Sequence, residues 1–300
     1  MTTLLPTIEY VKGNIDGPTI AILGGVHGDE FEGVLACRQI RNILQKLLIK
    51  GTVKFAAPAH PAAWNASTRA SPTDDLNLAR VFPGKTSGNP TEQVAAFLTE
   101  NLIKGADLLI DLHSAGKNFD MALLCGYLDS DPVMSIKSAT FAKIFDAPYT
   151  WKHSGPPSPG RSISTAEAFG RPSIYVEGRG GGQVRTADLE TYVGGVLRIL
   201  HSMEMLDQSS KSPKALIATV SVSGDGNTDE GIVSKTAGYF CTTAEVGSRV
   251  AQGDVLGKVI DNEANTCEEI LSPSSGIVML MRRATQVLPG DTLSIVASLL

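Results

Sequence analysis

TIAILGGVHGDEFEGVLACRQIRNILQKLLIKGTVKFAA, residues 19–57, holds the pattern that decides the fold. Thr19–Leu23 is a short, nearly unbroken apolar run, as expected of a strand covered on both faces. From Glu30 to Leu48 the period changes. Phe31, Val34, Leu35, Ile43, Leu44, Leu47 and Leu48 recur at helical spacing, and Lys50 with Gly51 closes the segment. Val53–Ala57 then reads as a second strand. Strand, helix, strand is the unit from which parallel α/β sheets are built, because the helix carries the chain back along the sheet face.

The alternation continues to about residue 206. Asn89, Pro90 and Glu92 place a capping residue, a proline at the first helical position and a glutamate at the third, which predicts a helix running to about Ile103. Leu108–Leu112 and Met121–Leu128 read as strands, and Pro132–Phe145 as a helix. A short helix follows from Ser162 to Phe169, stopped by Gly170, then a strand at Ser173–Val176 and a long helix from Asp188 to Met205. The fold class expected is α/β, a mixed and largely parallel sheet flanked by helices, over residues 1–206. Between His60 and Asn89 no period emerges, and a loop that long inside a compact domain is more often functional than idle. DQSSKSPK, residues 207–214, is polar and aperiodic and is taken as a linker. Residues 215–300 form a β-rich domain, with strands expected at Ile217–Val222, Gly231–Val233, Val255–Ile260, Gly276–Met281 and Thr292–Ala297.

With 300 residues, 42% of them hydrophobic, the chain can bury a substantial core. Its 26 basic and 31 acidic residues are interspersed, for a net charge of −5, and offer no basic stripe to neutralise a phosphate backbone. Nucleic acid is thereby excluded as an expected partner. No stretch approaches the roughly 18 apolar residues of a membrane span, and the opening MTTLLPTIEYVKG has no signal-peptide pattern, so a cytoplasmic protein is expected. Cys37, Cys125, Cys241 and Cys267 are scattered and read as buried thiols in a reducing compartment.

His27 and Glu30 stand three apart just after the first strand. Alone, the pair proves little, since histidine and glutamate fall three apart by chance in many proteins and can be polar residues of a glycine-rich turn. DLLIDLHSAG puts His113 after a second strand, and SIYVEGRGGG puts Glu177 at the end of a third. In open α/β sheets ligands bind outside the carboxyl ends of the strands, so the three clusters can converge. Two imidazoles and a carboxylate suffice for catalytic zinc, with Glu177 left over to take a proton from water. Asp111 alternates onto the face of His113 and could hold its ring. The competing reading is a satisfied core histidine at 113 and a turn-capping glutamate at 177.

GGVHGDE at 24–30, HPAAWNASTR at 60–69, DLNLARVFPG at 75–84, DLHSAG at 111–116 and IYVEGRGG at 174–181 together resemble the succinylglutamate desuccinylase and aspartoacylase family, similar in fold to zinc carboxypeptidases. The resemblance spans essentially the whole chain. It implies one Zn²⁺ per chain, with His27, Glu30 and His113 as ligands and Glu177 as general base. It further implies that Arg69 polarises the acyl carbonyl and that Arg80, with Asn77, holds a substrate carboxylate, and it suggests dimers. The family places asparagine directly before its motif arginine, whereas this chain has Ala79 there and Asn77 two positions earlier. Arg161 and Arg179 are further candidates for carboxylate contacts. The expected activity is hydrolysis of a small N-acylated amino acid, with a zinc carboxypeptidase or esterase and a non-catalytic zinc-containing binding protein as alternatives.

VGSRVAQGDVLGKVID at 246–261 and SPSSGIVMLMRRATQVLPGDTLSIVA at 272–297 resemble the two halves of lipoyl and biotinyl carrier domains. The segment taken for the carrier hairpin tip holds Met279, Met281, Arg282 and Arg283 but no lysine, so cofactor carriage is not expected. A cover for the pocket or a dimerisation element is expected instead.

Overall fold

Strands β1 (Ile8–Lys12), β2 (Ile15–Gly24) and β3 (Lys50–Ala56) lie in the order β1-β3-β2, and helix α1 (Phe31–Leu47) bridges β2 and β3, which run parallel. The computed structural model describes residues 4–207, 209, 212–215 and 219–300. After α2 (Pro61–Ala66) and α3 (Pro90–Leu98), β4 (Leu108–Ser114) enters on the other side of β2, again parallel. The chain thus leaves β2 toward one neighbour and later returns beside it as the other. That divergence opens a crevice at the carboxyl ends of β2 and β4.

Next come β5 (Phe119–Met121), β6 (Leu124–Asp129), α4 (Pro132–Phe145), β7 (Tyr149–Ser154), α5 (Ser162–Ala168), β8 (Ser173–Gly178) and α6 (Thr186–Ser202). Strand β8 runs parallel to β4, and β6 runs antiparallel to β8. The buried residues show why the central strands read as continuous apolar runs. Ile20 and Ile22 of β2 pack with Ala36, Ile40 and Leu44 of α1 and Val196 and Ile199 of α6. Ala21 and Leu23 face the other way, against Val94, Ala95 and Leu98 of α3 and Ala166 of α5. Both faces of the sheet are covered, so neither alternate position can be polar.

The C-terminal strands are β9 (Val220–Ser223), β10 (Ile232–Val233), β11 (Gly238–Thr242), β12 (Arg249–Val250), β13 (Val255–Ile260), β14 (Thr266–Leu271), β15 (Gly276–Arg282), β16 (Gln286–Val287) and β17 (Thr292–Leu299). Strand β9 pairs parallel with β7 and antiparallel with β17, which prolongs the central sheet in the order β8-β6-β7-β9-β17-β15-β12. Strands β14, β13, β11 and β16 form a separate antiparallel sheet. No helix among the described residues is long and apolar enough to cross a membrane.

Several elements differ from the sequence reading. The aperiodic stretch from His60 to Asn89 contains α2 and a 3₁₀ turn at Leu78–Arg80, both too short to show a period. Met121–Leu128 is two strands, because β5 leaves to pair with β15 while β6 stays beside β8. His113 lies within β4 rather than after it, whereas Glu177 stands at the end of β8. Cys37 and Cys125 are buried as expected, but Cys241 is half-buried and Cys267 exposed, since β14 is an edge strand. Met279 and Met281 are buried in β15, so this segment is core rather than an exposed hairpin tip. Residues 217 and 218 of the strand expected at Ile217–Val222, and 208, 210 and 211 of the expected linker, lie outside the described residues.

Candidate active site

Directly after β2 the chain turns at Gly25, whose φ of +71° is one that glycine adopts without strain. At Gly28 it presses so closely on α2 that a Cβ would overlap the Ala63 carbonyl. This tight loop delivers His27 and then Glu30 at the start of α1, while β4 brings His113 from the neighbouring strand. All three are buried, at 2%, 1% and 8% exposure. His27 Nδ1 lies 2.7 Å from Glu30 Oε1, and His113 Nδ1 lies 3.0 Å from Glu30 Oε2. The backbone N–H of Ser114 also donates to Oε2, at 3.2 Å.

Each imidazole is held from behind. His27 Nε2 is 3.0 Å from the Asn77 side-chain oxygen, and His113 Nε2 is 3.1 Å from Asp111 Oδ1. Asp111 is in turn bonded through Oδ2 by the hydroxyl of Ser162, at the start of α5, and Tyr192 donates to the His113 carbonyl. Both Nδ1 atoms are thereby left facing the Glu30 carboxylate. One donor atom from each of the three residues lies within 4.8 Å of the others.

The titration of these groups follows from their neighbours. Burial opposes ionisation of Glu30, but His27 and His113 outweigh it and hold its pKa well below the usual carboxylate range. Burial likewise opposes a charged His113, yet Asp111 and Glu30 raise its pKa well above that of free imidazole. His27 is lowered, first by burial and then by Arg69. A carboxylate-rich pocket that draws a proton onto His113 is one that a divalent cation suits, and two imidazole nitrogens with one carboxylate match the donor set of catalytic zinc.

Glu177 is the register partner of His113 across β4 and β8. Its Oε2 is buried with no hydrogen-bond partner among the described residues. Burial pushes its pKa up to about 8, with His113 and Arg69 opposing and Glu30 and Asp111 adding to the rise. Arg69 donates to Glu30 Oε1 at 3.0 Å and has a half-exposed side chain. His27, His113, Glu177, Arg69, Arg80 and Arg161 all line one cavity of about 450 Å³.

Asn77 is not among the cavity's lining residues. Its oxygen serves His27 and the Ala79 amide. Arg80 lines the cavity, and its guanidinium is paired with Asp229 from the C-terminal segment. Arg179 is taken up by the buried carboxylate of Asp188 at the start of α6 and does not line the cavity. Sequence reasoning missed His153 and Tyr175. His153 Nδ1 donates to the Gly224 carbonyl at 2.9 Å, so Nε2 accepts from the Tyr175 hydroxyl at 2.6 Å, and both rings line the cavity. Tyr175 shares a face of β8 with Glu177, so strand alternation signals it. His153 carries no such signal. The loop at 225–230 also contributes lining residues, among them Asp225, Asn227 and Glu230.

The chain resembles known proteins over most of its length. Residues 16–203 match the model of the succinylglutamate desuccinylase/aspartoacylase catalytic domain. An N-alpha-acetyl-L-2,4-diaminobutyric acid deacetylase from Halomonas elongata is 26% identical, over 98% of this chain and 85% of its own length. The crystal structure of a succinylglutamate desuccinylase/aspartoacylase from Rhodobacter sphaeroides superposes with a TM-score of 0.88 at 26% identity, over 98% of this chain and 89% of the other. The product-bound ectoine utilization protein EutE (DoeB) from Ruegeria pomeroyi gives 0.87 at 25% identity, over 98% and 93%. The chain belongs to the succinylglutamate desuccinylase/aspartoacylase family, a family of amide hydrolases.

Proposed function

We propose that the protein is a zinc-dependent deacylase that hydrolyses the amide bond of a small N-acylated amino acid. The observation that carries this reading is the convergence of three buried donors on one point beside a buried, unpartnered carboxylate oxygen of Glu177. His27 and His113 through Nδ1, and Glu30 through its carboxylate, would hold the ion. When bound, zinc supplies Lewis acidity to the scissile carbonyl and lowers the pKa of water.

Glu177 takes the proton from the attacking water and returns it to the leaving amine nitrogen. Its burial supports that role, because a carboxylate with a raised pKa is a stronger base and keeps the proton until the amine departs. Arg69 meets the negative charge that develops on the carbonyl oxygen. Asn77 and Asp111 fix the orientation of the two imidazoles. The guanidinium of Arg161 at the cavity favours a substrate that carries a carboxylate over a neutral amide. The name of the Halomonas relative, a deacetylase of an acetylated amino acid, supports the same class.

The test is mass-spectrometric turnover of N-acetyl, N-formyl and N-succinyl amino acids and short peptides by zinc-reconstituted protein. Release of free amino acid is expected. Cleavage of peptides or esters with every acyl amino acid left intact would replace this reading with the carboxypeptidase or esterase alternative.

A further inference from the structure

The fork of Arg80 is already occupied. Its Nε donates to Asp229 Oδ2 at 2.8 Å and its Nη2 to Oδ1 at 3.0 Å, the two-pronged geometry by which arginine recognises a carboxylate. Nη1 donates to the Ala79 carbonyl at 3.3 Å, and Nη2 also reaches Thr228 Oγ1 at 3.5 Å. An ion pair with a partner as exposed as Asp229, 57% by side chain, would by itself be easily displaced. The turn that carries Asp229 is built to keep it in place. Asn227 accepts from the Asp229 amide at 3.2 Å, Arg161 donates to Asn227 Oδ1 at 2.9 Å, and Thr292 donates to the Thr228 carbonyl at 2.8 Å.

Charge follows the same division. Arg80 and Arg161 bring two positive charges to this part of the cavity, and Asp229 cancels one of them. Asp225 and Glu230, on the same loop, line the cavity as further carboxylates. A second substrate carboxylate arriving here would meet like charge and a guanidinium with its best donors in use. Arg161 also feels Asp229, whose Oδ2 lies 3.7 Å from its Nη2, but at that distance the pair is an ion pair without a hydrogen bond. Its Nη1 and Nη2 make one hydrogen bond each, to Ala79 and Asn227, so donors remain for a substrate carboxylate.

We infer that Asp229 sets the substrate class: by occupying Arg80 it leaves one guanidinium, that of Arg161, for the substrate, and restricts the cavity to acyl amino acids with a single carboxylate. This rests on the deacylase reading for its chemistry, with Asp229 as a positioning residue that acts through Arg80.

The experiment compares ligands that differ by one carboxylate, N-acetylasparagine against N-acetylaspartate and N-acetylglutamine against N-acetylglutamate. Steady-state kinetics and calorimetric binding are measured for the wild type, Asp229→Asn and Asp229→Ala, both variants being checked for folding by thermal melting. The wild type is expected to prefer the amide member of each pair by about ten-fold or more, and the variants to lose most of that preference through KM and Kd rather than kcat. A wild type that prefers the dicarboxylate, or a preference that both folded variants retain, overturns the inference. If no pair member is hydrolysed, the Kd ratio still decides the role of Asp229, while the deacylase reading stands or falls separately on the wider acyl amino acid panel. Absence of binding by every pair member overturns the inference.

Discussion

His27 Nε2 lies 3.0 Å from Asn77 Oδ1, and the same oxygen accepts the Ala79 amide at 2.9 Å. The asparagine is therefore fixed by the backbone before it meets the histidine. It assigns the ring proton to Nε2 and leaves Nδ1 to face Glu30. Asn77→Ala is expected to weaken zinc binding by about 10–100-fold, the usual cost of losing a partner behind a ligand imidazole. Competition with a chromophoric chelator measures it, and unchanged affinity would remove Asn77 from this role.

The loop that carries His27 depends on close approach to α2. In Gly28→Ala the new methyl would overlap the Ala63 carbonyl, which is backbone and has no rotamer to escape by. A loss of about 1–3 kcal/mol in denaturant unfolding is expected, together with weaker zinc binding as the loop shifts. Full stability with full zinc affinity would show that the loop yields without cost.

His60 gives a pH dependence away from the zinc ligands. Its side chain is buried, with Nε2 3.2 Å from Thr91 Oγ1 and Nδ1 unpartnered among the described residues. Burial lowers its pKa to about 4, against a smaller opposing effect of Asp74. The unfolded chain takes up this proton near pH 6.5 and the folded chain only near pH 4, so the group's contribution is complete above 6.5 and is lost as pH falls through that window. The loss amounts to at most about 3 kcal/mol. Urea unfolding from pH 7.5 to 4 should show a steeper decline for the wild type than for His60→Gln. Parallel declines would mean that His60 titrates normally.

How much of this was legible beforehand depends on burial and on sequence distance. Strands β2, β4 and β8 showed because both faces are covered, which leaves an apolar signature that needs no partner to interpret. His27, Glu30, His113 and Glu177 stood out because polar groups next to such runs are unusual. Strand β7 did not show, since YTWKHS puts Lys152 and His153 among its apolar residues and leaves no continuous apolar run. Strands β12 and β16 have two residues each, too few for any period. Asn77 stands out in the sequence, but its orientation does not, because one asparagine can face a substrate or a histidine. The pairing of Arg80 with Asp229, 149 positions away, left no local trace, and only the folded chain joins them.

Glu177 bears the central claim. The Glu177→Gln variant keeps the side chain's size and removes its basicity, so zinc content and turnover can be separated. The measurement is kcat for the acyl amino acid best cleaved by the wild type, alongside metal analysis of both proteins. The account predicts equal zinc occupancy and a fall in kcat of about 10²–10⁴-fold. A variant that retains wild-type turnover, or one whose activity falls only in proportion to lost zinc, would contradict it.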